Sequence, residues 1–369
     1  MSDCGTKYRF LVLGGTGFIG RHFVEFLIKN NVASKVRVAD KVPPEMAWLN
    51  CTHKELFANP LIEFKSSNLL NPASCAAAFD DADGPFDFAV NLAGETKLNL
   101  PDIVYEEGIQ QLSTNCAKEA ATHQVKRYIE ISSGHMYPSG KTPSTEESEV
   151  DPWTVSASYK FQVEQALQHM TQLDYVILRP ALVYGVADKR SLTPRLIAAA
   201  VYKHLGEMKL LWTKELKMNT VHVSDMCRAI WHVCLHGQRG EVYNVVDSGN
   251  TTQGKVTDIV SEIFNINHDY LGTAMSLLAK ANLQSAVEDI NEKHLPAWAE
   301  ACQKDNVTNT PLSPYLSKEL LTDKDLWLDG TKLMKTGFTY LVPELQKAHI
   351  EDVLTDYVQM GIFPKSLLS

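Results

Sequence analysis

No apolar run in the 369 residues approaches the roughly 20 needed to cross a bilayer as a helix, so no membrane span is read. The chain also lacks any cluster of Lys and Arg that would follow a phosphate backbone. With 44 acidic against 35 basic residues and a net charge of −9, nucleic acid is not expected as a partner. The seven cysteines (4, 51, 75, 116, 227, 234 and 302) are odd in number, scattered and without a paired Cys-x-x-Cys. They read as reduced, mostly structural thiols of a reducing compartment, and no metal-binding set is read. The few residues before the first strand carry no positive patch followed by an apolar core, which predicts a cytoplasmic rather than a secreted protein. Internal repeats and low-complexity tracts are absent as well. The length suffices for one large domain or a domain with a smaller lobe.

What is present is a strand that runs into a glycine turn and then a helix. Residues 10–13 are apolar, Gly14, Gly17 and Gly20 follow, and residues 18–28 are amphipathic. Gly14 suits a tight turn at the strand end, Gly17 leaves room for a pyrophosphate, and Gly20 allows the helix to pack closely on the sheet. Phe18 and Ile19 open that helix, whose N-terminal N–H groups and partial positive charge face the phosphates. A second strand, residues 36–39, ends in Asp40, which would accept hydrogen bonds from both ribose hydroxyls and repel a 2′-phosphate. NAD is therefore favoured over NADP, although Arg37 and Lys41 flank the position.

Further strand-like runs at 62–65, 86–92, 127–132 and 175–178 alternate with helical patterns at 107–123 and 158–173. That order predicts an α/β fold: a doubly wound parallel sheet of the Rossmann type. Residues 138–153, rich in Pro, Ser, Thr and Glu, read as a surface loop, either a lid or merely solvated. After residue 246 the sheet pattern fades into helices at 256–264, 270–295 and 345–360, with a proline-broken stretch at 306–314. The expected division is 1–246 for the dinucleotide domain, with substrate-contacting insertions from about 182, and 247–369 for a smaller, mostly helical lobe. Leu271, Met275, Leu278, Leu283, Val287 and Ile290 recur at helical spacing. They read first as a helix buried against the main domain, and second as a wall for an apolar substrate.

From the spacing Gly14-x-x-Gly17-x-x-Gly20 onward, the chain resembles the extended short-chain dehydrogenase/reductase family in its NAD-dependent epimerase/dehydratase branch. The likeness continues, in the family's order, through Asn91-Leu92-Ala93-Gly94, residues 131–137 (ISSGHMY), 160–167 (KFQVEQAL), 179–185 (RPALVYG), 221–225 (VHVSD) and 240–245 (GEVYNV). It implies a C-terminal substrate lobe over the carboxyl edge of the sheet and a homodimer formed by helices 107–123 and 158–173, which would otherwise pack within a monomer. It also implies cofactor contacts at Asn68 and Leu69, at Leu92, Ala93 and Gly94, at Lys160 and at Pro180. Asn68 stands where relatives carry an Asp for the adenine amino group, and its carbonyl oxygen still accepts that bond.

The family's Tyr and Lys lie four residues apart on one helix face. Lys160 fills the lysine place, but the tyrosine place holds Ser156, whose hydroxyl is less acidic and reaches less far. Tyr159 is rotated about 100° from Lys160 on a helix and is not expected in the same site. Ser133 matches the substrate-facing Ser/Thr, with a strand-end hydroxyl as the plainer reading. His135 falls where dehydratase relatives carry a catalytic Glu; it would exchange a proton there, or else only pack. Gly134 replaces the acid those relatives carry just before it, which disfavours sugar 4,6-dehydration. Glu95 reads as a proton acceptor or as a loop acid. Met218 and Leu182 replace residues that relatives use on nucleotide sugars. Arg190 and Arg195 either compensate or lie on a surface helix, and the balance leans to an apolar or uncharged small-molecule substrate. His222 is expected to be a buried strand residue, and Asp225 the N-cap of a helix at 226–235.

Two functions follow. One is an enzyme that oxidises a secondary alcohol or reduces a ketone, or that epimerises through the ketone. In it Lys160 holds the ribose, Ser133 orients the substrate, and His135 or a water held by Ser156 replaces the phenol. The other is a nucleotide-binding protein with regulatory or complex-stabilising work and reduced catalysis. Nucleotide-sugar epimerisation stands as a further alternative.

Overall fold

A computed structural model describes residues 5–368. Its strands in chain order are β1 (Tyr8–Leu13), β2 (Ala33–Asp40), β3 (Ile62–Ser66), β4 (Phe88–Asn91), β5 (Arg127–Ile131), β6 (Tyr175–Pro180), β7 (Leu182–Tyr184), β8 (Met208–Leu210), β9 (Thr220–His222), β10 (Val242–Val245) and β11 (His268–Tyr270). Seven of them form one parallel sheet in the order β10-β6-β5-β4-β1-β2-β3. Residues 10–13, 88–91 and 175–180 are buried throughout, as a sheet covered by helices on both faces requires. The chain winds outward from β1 to β3 and then, from β4, the other way. The carboxyl ends of β1 and β4 therefore lie side by side, with Leu13 opposite Asn91, and this crevice is where a doubly wound sheet receives ligands.

Helix Phe18–Lys29 begins at Gly17 and buries Phe23, Val24 and Leu27 against Phe10 and Val12 of β1. The region expected as one helix over 107–123 is composite: Asp102–Tyr105, a π-helical turn at Glu106–Gln111, and helix Leu112–Thr122. The other long helix starts earlier than expected, at Val155, because Thr154 caps it by accepting the Ala157 N–H at 3.1 Å, and it ends at Gln168.

The C-terminal region is helical. Helices Thr193–Leu205, Gln253–Phe264, Leu283–Lys304 and Lys347–Gln359 share an apolar core that includes Ile197, Val260, Trp298 and Leu354. Two-stranded sheets pair β7 with β9 and β8 with β11. Two expectations fail here. The apolar stripe from Leu271 to Ile290 is not buried as one face: Leu271, Met275 and Leu278 are exposed while Val287 is buried, because the chain breaks at Asn282 between helices Gly272–Ala281 and Leu283–Lys304. The helix after β9 is Val223–His236, and its N-cap is His222, whose Nδ1 accepts from Ser224 N–H. Asp225 lies inside that helix, where its carboxylate accepts the N–H groups of Leu341 and Val342 and pairs with Arg228. The loop at 138–153 is tied down: Ser144 exchanges backbone hydrogen bonds with Trp327 and Asp329, and Glu146 accepts from Asn244 N–H.

Candidate active site

The glycine turn sits on the crevice between β1 and β4. Gly14 has φ +75°, and a Cβ there would fall 2.6 Å from Ala93 N, so only glycine admits both the turn and the approach of residues 92–93. At Gly20 a Cβ would strike Gly14 O at 2.4 Å, which fixes the helix against the turn. Gly17 differs. Its φ and ψ of −66° and −178° suit any residue, it is exposed, and an added Cβ would meet only Gly14 O, at 3.0 Å. The backbone there does not demand glycine, and a side chain would require the main-chain oxygen of Gly14 to give way slightly. Gly94 is open, since its Cβ would find only Gly108 O, at 3.8 Å.

Asp40 closes β2 beside the turn. One carboxylate oxygen accepts from Thr16 N–H and Oγ at 3.2 and 2.8 Å, and the other from Val42 N–H at 3.0 Å. Thr16, absent from the residues anticipated, thus couples the acid that ends β2 to the glycine turn; a hydroxyl among glycines was its only signal. Phe18 and Ile19 are half-buried in the first helical turn. Asn68 is exposed after β3, with Oδ1 accepting from Leu70 N–H, and Leu69 beneath it is buried. Leu92, Ala93 and Gly94 leave β4, with Leu92 N–H donating to Leu13 O and Ala93 N–H to Asn91 Oδ1. Glu95 folds back on its own loop to accept from Thr96 and Lys97 N–H. Its N–H donates to Gly108 O, so the π-helical turn supports this loop.

The expected catalytic residues gather at the ends of β5 and β6. Lys160 Nζ donates to Ile131 O at 2.6 Å, which brings the ammonium to the strand end that carries Ser133. Burial lowers its pKa, opposed by the charges of Glu130 and Glu164. Ser133 Oγ accepts His135 N–H at 3.2 Å and lies 3.3 Å from His135 Nδ1. The imidazole stands edge-on to Trp153, ring centroids 4.5 Å apart. Loss of water first, and the charge of Arg195 second, push its pKa down to about 4. Pro180 ends β6, and its carbonyl accepts from Gly134 N–H at 2.8 Å. A Cβ on Gly134 would lie 2.6 Å from that oxygen and 2.7 Å from Leu328 Cδ1. Ser156 lies a turn before Lys160; among the described residues no hydrogen bond joins it to Lys160, Ser133 or His135. Tyr159 stacks on Tyr105, at 6.5 Å and 17°, as its rotation on the helix predicts.

Behind this surface a buried polar network fixes the elements. Glu164, on the helix of Lys160, forms a two-point ion pair with Arg179 of β6 at 3.0 and 2.6 Å and accepts from Ser132 Oγ. Arg179 continues to Tyr137, which donates to Asn244. Glu130 of β5 is held by Asn91, Ser113 and Tyr128, and its pKa is raised by burial. An acid amid the apolar run of β5 was a legible signal for it. Arg195, at the start of helix Thr193–Leu205, donates to Leu320 O and Ser191 O. Among the described residues it has no carboxylate within 4.0 Å, and burial lowers its pKa to about 10.

A parallel sheet with this strand order, a glycine turn on its switch crevice and a lysine-bearing helix beside β5 define a dinucleotide-binding fold of the extended short-chain dehydrogenase/reductase type. The model of the NAD-dependent epimerase/dehydratase family matches residues 10–246, and the chain belongs to that family. A dTDP-glucose 4,6-dehydratase of Streptomyces niveus is 28% identical over 251 residues, 64% of this chain and 72% of that one. Among solved structures, a dTDP-glucose 4,6-dehydratase from Streptomyces venezuelae with NAD bound superposes with a TM-score of 0.70 at 21% identity, covering 97% of this chain and 99% of that one. A Thermus thermophilus UDP-glucose 4-epimerase in complex with NAD gives 0.68 at 18% identity, covering 95% and 99%.

Proposed function

We propose that the chain binds NAD across the β1–β4 crevice and acts on a secondary alcohol or its ketone, by net oxidoreduction or by epimerisation. The space kept at Gly17 and Gly94, beside closely packed Gly14 and Gly20, fits a dinucleotide whose pyrophosphate rests on the helix N-terminus and whose ribose meets Asp40. NAD, when bound, supplies the hydride acceptor or donor. NADP is disfavoured by the Asp40 charge.

The observation that carries the chemistry is the Ser133–His135 pair, 3.3 Å apart just past the end of β5, whose Ile131 carbonyl takes the Lys160 ammonium. Ser133 Oγ accepts the His135 N–H, and accepts Nδ1–H in one tautomer of the ring. Its own hydrogen is then free for the substrate oxygen, and His135 Nε2 keeps a lone pair. With a pKa of about 4 the imidazole is neutral at pH 7 and keeps an open lone pair for the substrate proton, as a weaker base than a solvated histidine until a bound substrate alters its surroundings. Lys160 adds positive charge that favours an alkoxide and reaches toward the nicotinamide ribose.

Buried Met218 supports an uncharged substrate. Arg195 favours the second reading, a nucleotide-sugar epimerase, because a half-buried cation whose hydrogen bonds go to carbonyls, with only the more distant charge of Asp188 to oppose it, is relieved by an anionic ligand. Purified protein is given NAD with alcohols, ketones and nucleotide sugars in turn, while absorbance of the reduced nicotinamide or sugar products are followed. His135→Gln should lower kcat/KM on the order of hundredfold and leave NAD affinity unchanged. Turnover equal to wild type would refute the assignment. NAD binding with no turnover on any class would favour the nucleotide-binding regulatory protein, the reading that Tyr159 stacked away on Tyr105 supports.

A further inference from the structure

Helix Phe18–Lys29 carries His22 and Glu25 one turn apart on one side, and the short helix Cys51–Phe57 brings His53 against them. Glu25 Oε2 lies 3.5 Å from His22 Nδ1 and 3.3 Å from His53 Nε2, and one ligand atom of each residue falls within 4.8 Å of the others. The two imidazoles stand edge to face, centroids 4.8 Å apart. None of these residues takes part in the site described above.

The hydrogen-bond inventory makes the cluster unusual. His22 Nε2 lies 2.8 Å from Val186 O, and a carbonyl oxygen only accepts, so Nε2 carries the hydrogen. In the neutral ring Nδ1 then has a lone pair, and it faces the carboxylate oxygen of Glu25: acceptor meets acceptor. His53 is 2% exposed, yet its Nδ1 has no hydrogen-bond partner among the described residues and its Nε2 has only the 3.3 Å contact with Glu25 Oε2, the same oxygen that faces His22. Buried polar nitrogens are rarely left in that condition. The other Glu25 oxygen is used by Lys29 at 2.5 Å, which leaves Oε2 for whatever lies between the rings.

We infer that His22, Glu25 and His53 form a binding site for one divalent transition-metal ion of the zinc class. A proton would reconcile one imidazole with Glu25, whereas a metal takes a lone pair from each of the three. Ligand atoms held about 2.0–2.1 Å from a tetrahedral zinc lie roughly 3.4 Å apart, close to the two separations at Glu25 Oε2, while the two histidine nitrogens, within 4.8 Å, would draw together on binding. Two imidazoles and a carboxylate suit zinc, or ferrous iron with further positions open. The Val186 carbonyl acts as the outer partner that fixes the His22 tautomer. His22 and Glu25 side chains keep 14% and 17% exposure, which provides an entry path and room for a water as fourth ligand. The buried guanidinium of Arg21, whose charge also reaches His53, is committed to carbonyls of Thr16, Gly17, Ala47 and Trp48. The ion would clamp the pyrophosphate helix, the segment after Asp40 and the loop at Val186, bracing the nucleotide site from behind.

The test uses the full chain freed of metal with a chelator. Cobalt(II) is titrated while visible absorbance is followed, and zinc is titrated by calorimetry. One equivalent should bind, with d–d bands of a four- or five-coordinate ion and no intense thiolate charge-transfer band, since the ligands are nitrogen and oxygen. Glu25→Gln and His53→Asn should weaken binding on the order of tenfold or more, with circular dichroism and cooperative urea unfolding of the metal-free proteins as the check that each variant is folded. His22→Asn, on a less buried ligand, repeats the test should the others not fold. Absence of stoichiometric binding at micromolar metal, a thiolate spectrum, or affinity unchanged in the variants would overturn the site. NAD titration of the metal-free wild type reads the dinucleotide proposal separately.

Discussion

Replacing Gly17 with alanine separates the two demands made on the glycine turn. The backbone there is extended, so alanine adopts its φ and ψ, and its Cβ would press only on Gly14 O, at 3.0 Å, which a shift of a few tenths of an ångström relieves. Fewer unfolded conformations stabilise the variant by about 0.4–1 kcal/mol, and the poorer N-cap costs a similar amount. Net stability should therefore stay within about 1 kcal/mol of wild type. The pyrophosphate, in contrast, must retreat from the N–H groups of the turn, and each charge-assisted bond lost is worth about 1.5–3 kcal/mol. NAD affinity should fall at least about tenfold, and a few hundredfold if two bonds are lost. Gly20→Ala is the counter-case: its Cβ would sit 2.4 Å from Gly14 O and 2.6 Å from Gly15 Cα, both backbone atoms, so stability itself should fall by about 1–3 kcal/mol or more. Urea unfolding and NAD calorimetry on both variants give the comparison. A folded Gly17→Ala protein with wild-type NAD affinity would show that no pyrophosphate lies on this turn.

Glu164→Gln breaks a buried pair whose side chains are 2% and 5% exposed, and should cost about 3–5 kcal/mol in urea unfolding because Arg179 keeps its charge without a counterion. A loss below about 1 kcal/mol would contradict the pairing. His294 is buried against Tyr202 and its pKa is lowered to about 4, so the folded protein resists a proton that the unfolded chain takes up near 6.5. Its contribution is complete above pH 6.5 and is lost as pH falls toward 4, by up to about 1.4 kcal/mol per unit. Wild type should lose stability relative to His294→Gln across that window, and parallel pH curves for the two would refute the shift.

The central sheet was legible because buried parallel strands are continuous apolar runs: those predicted at 10–13, 36–39 and 175–178 lie within β1, β2 and β6. The glycine turn was legible because Gly14 and Gly20 answer local steric demands that no other residue meets. Pairings across the chain were not. The approach of Arg195 to His135 and the joining of Glu164 to Arg179 depend on the stacking of separate elements, which residue spacing does not encode. The cap before helix Val223–His236 was misassigned because His and Asp both accept N–H groups, and Asp225 is drawn instead to residues 341–342. The stripe beginning at Leu271 has helical period, but period identifies a face and not what covers it.

The crowding at residue 134 bears on how this chain's chemistry can change over time. The place where dehydratase relatives hold an acid is filled by the main chain of the adjoining strand and by Leu328, so no side chain of any kind fits until β5 and β6 shift apart. Placing an acid at 135 would leave its companion position, 134, still barred to a side chain. Descent from this architecture to water elimination therefore requires backbone rearrangement first, and stepwise substitution alone meets a closed door.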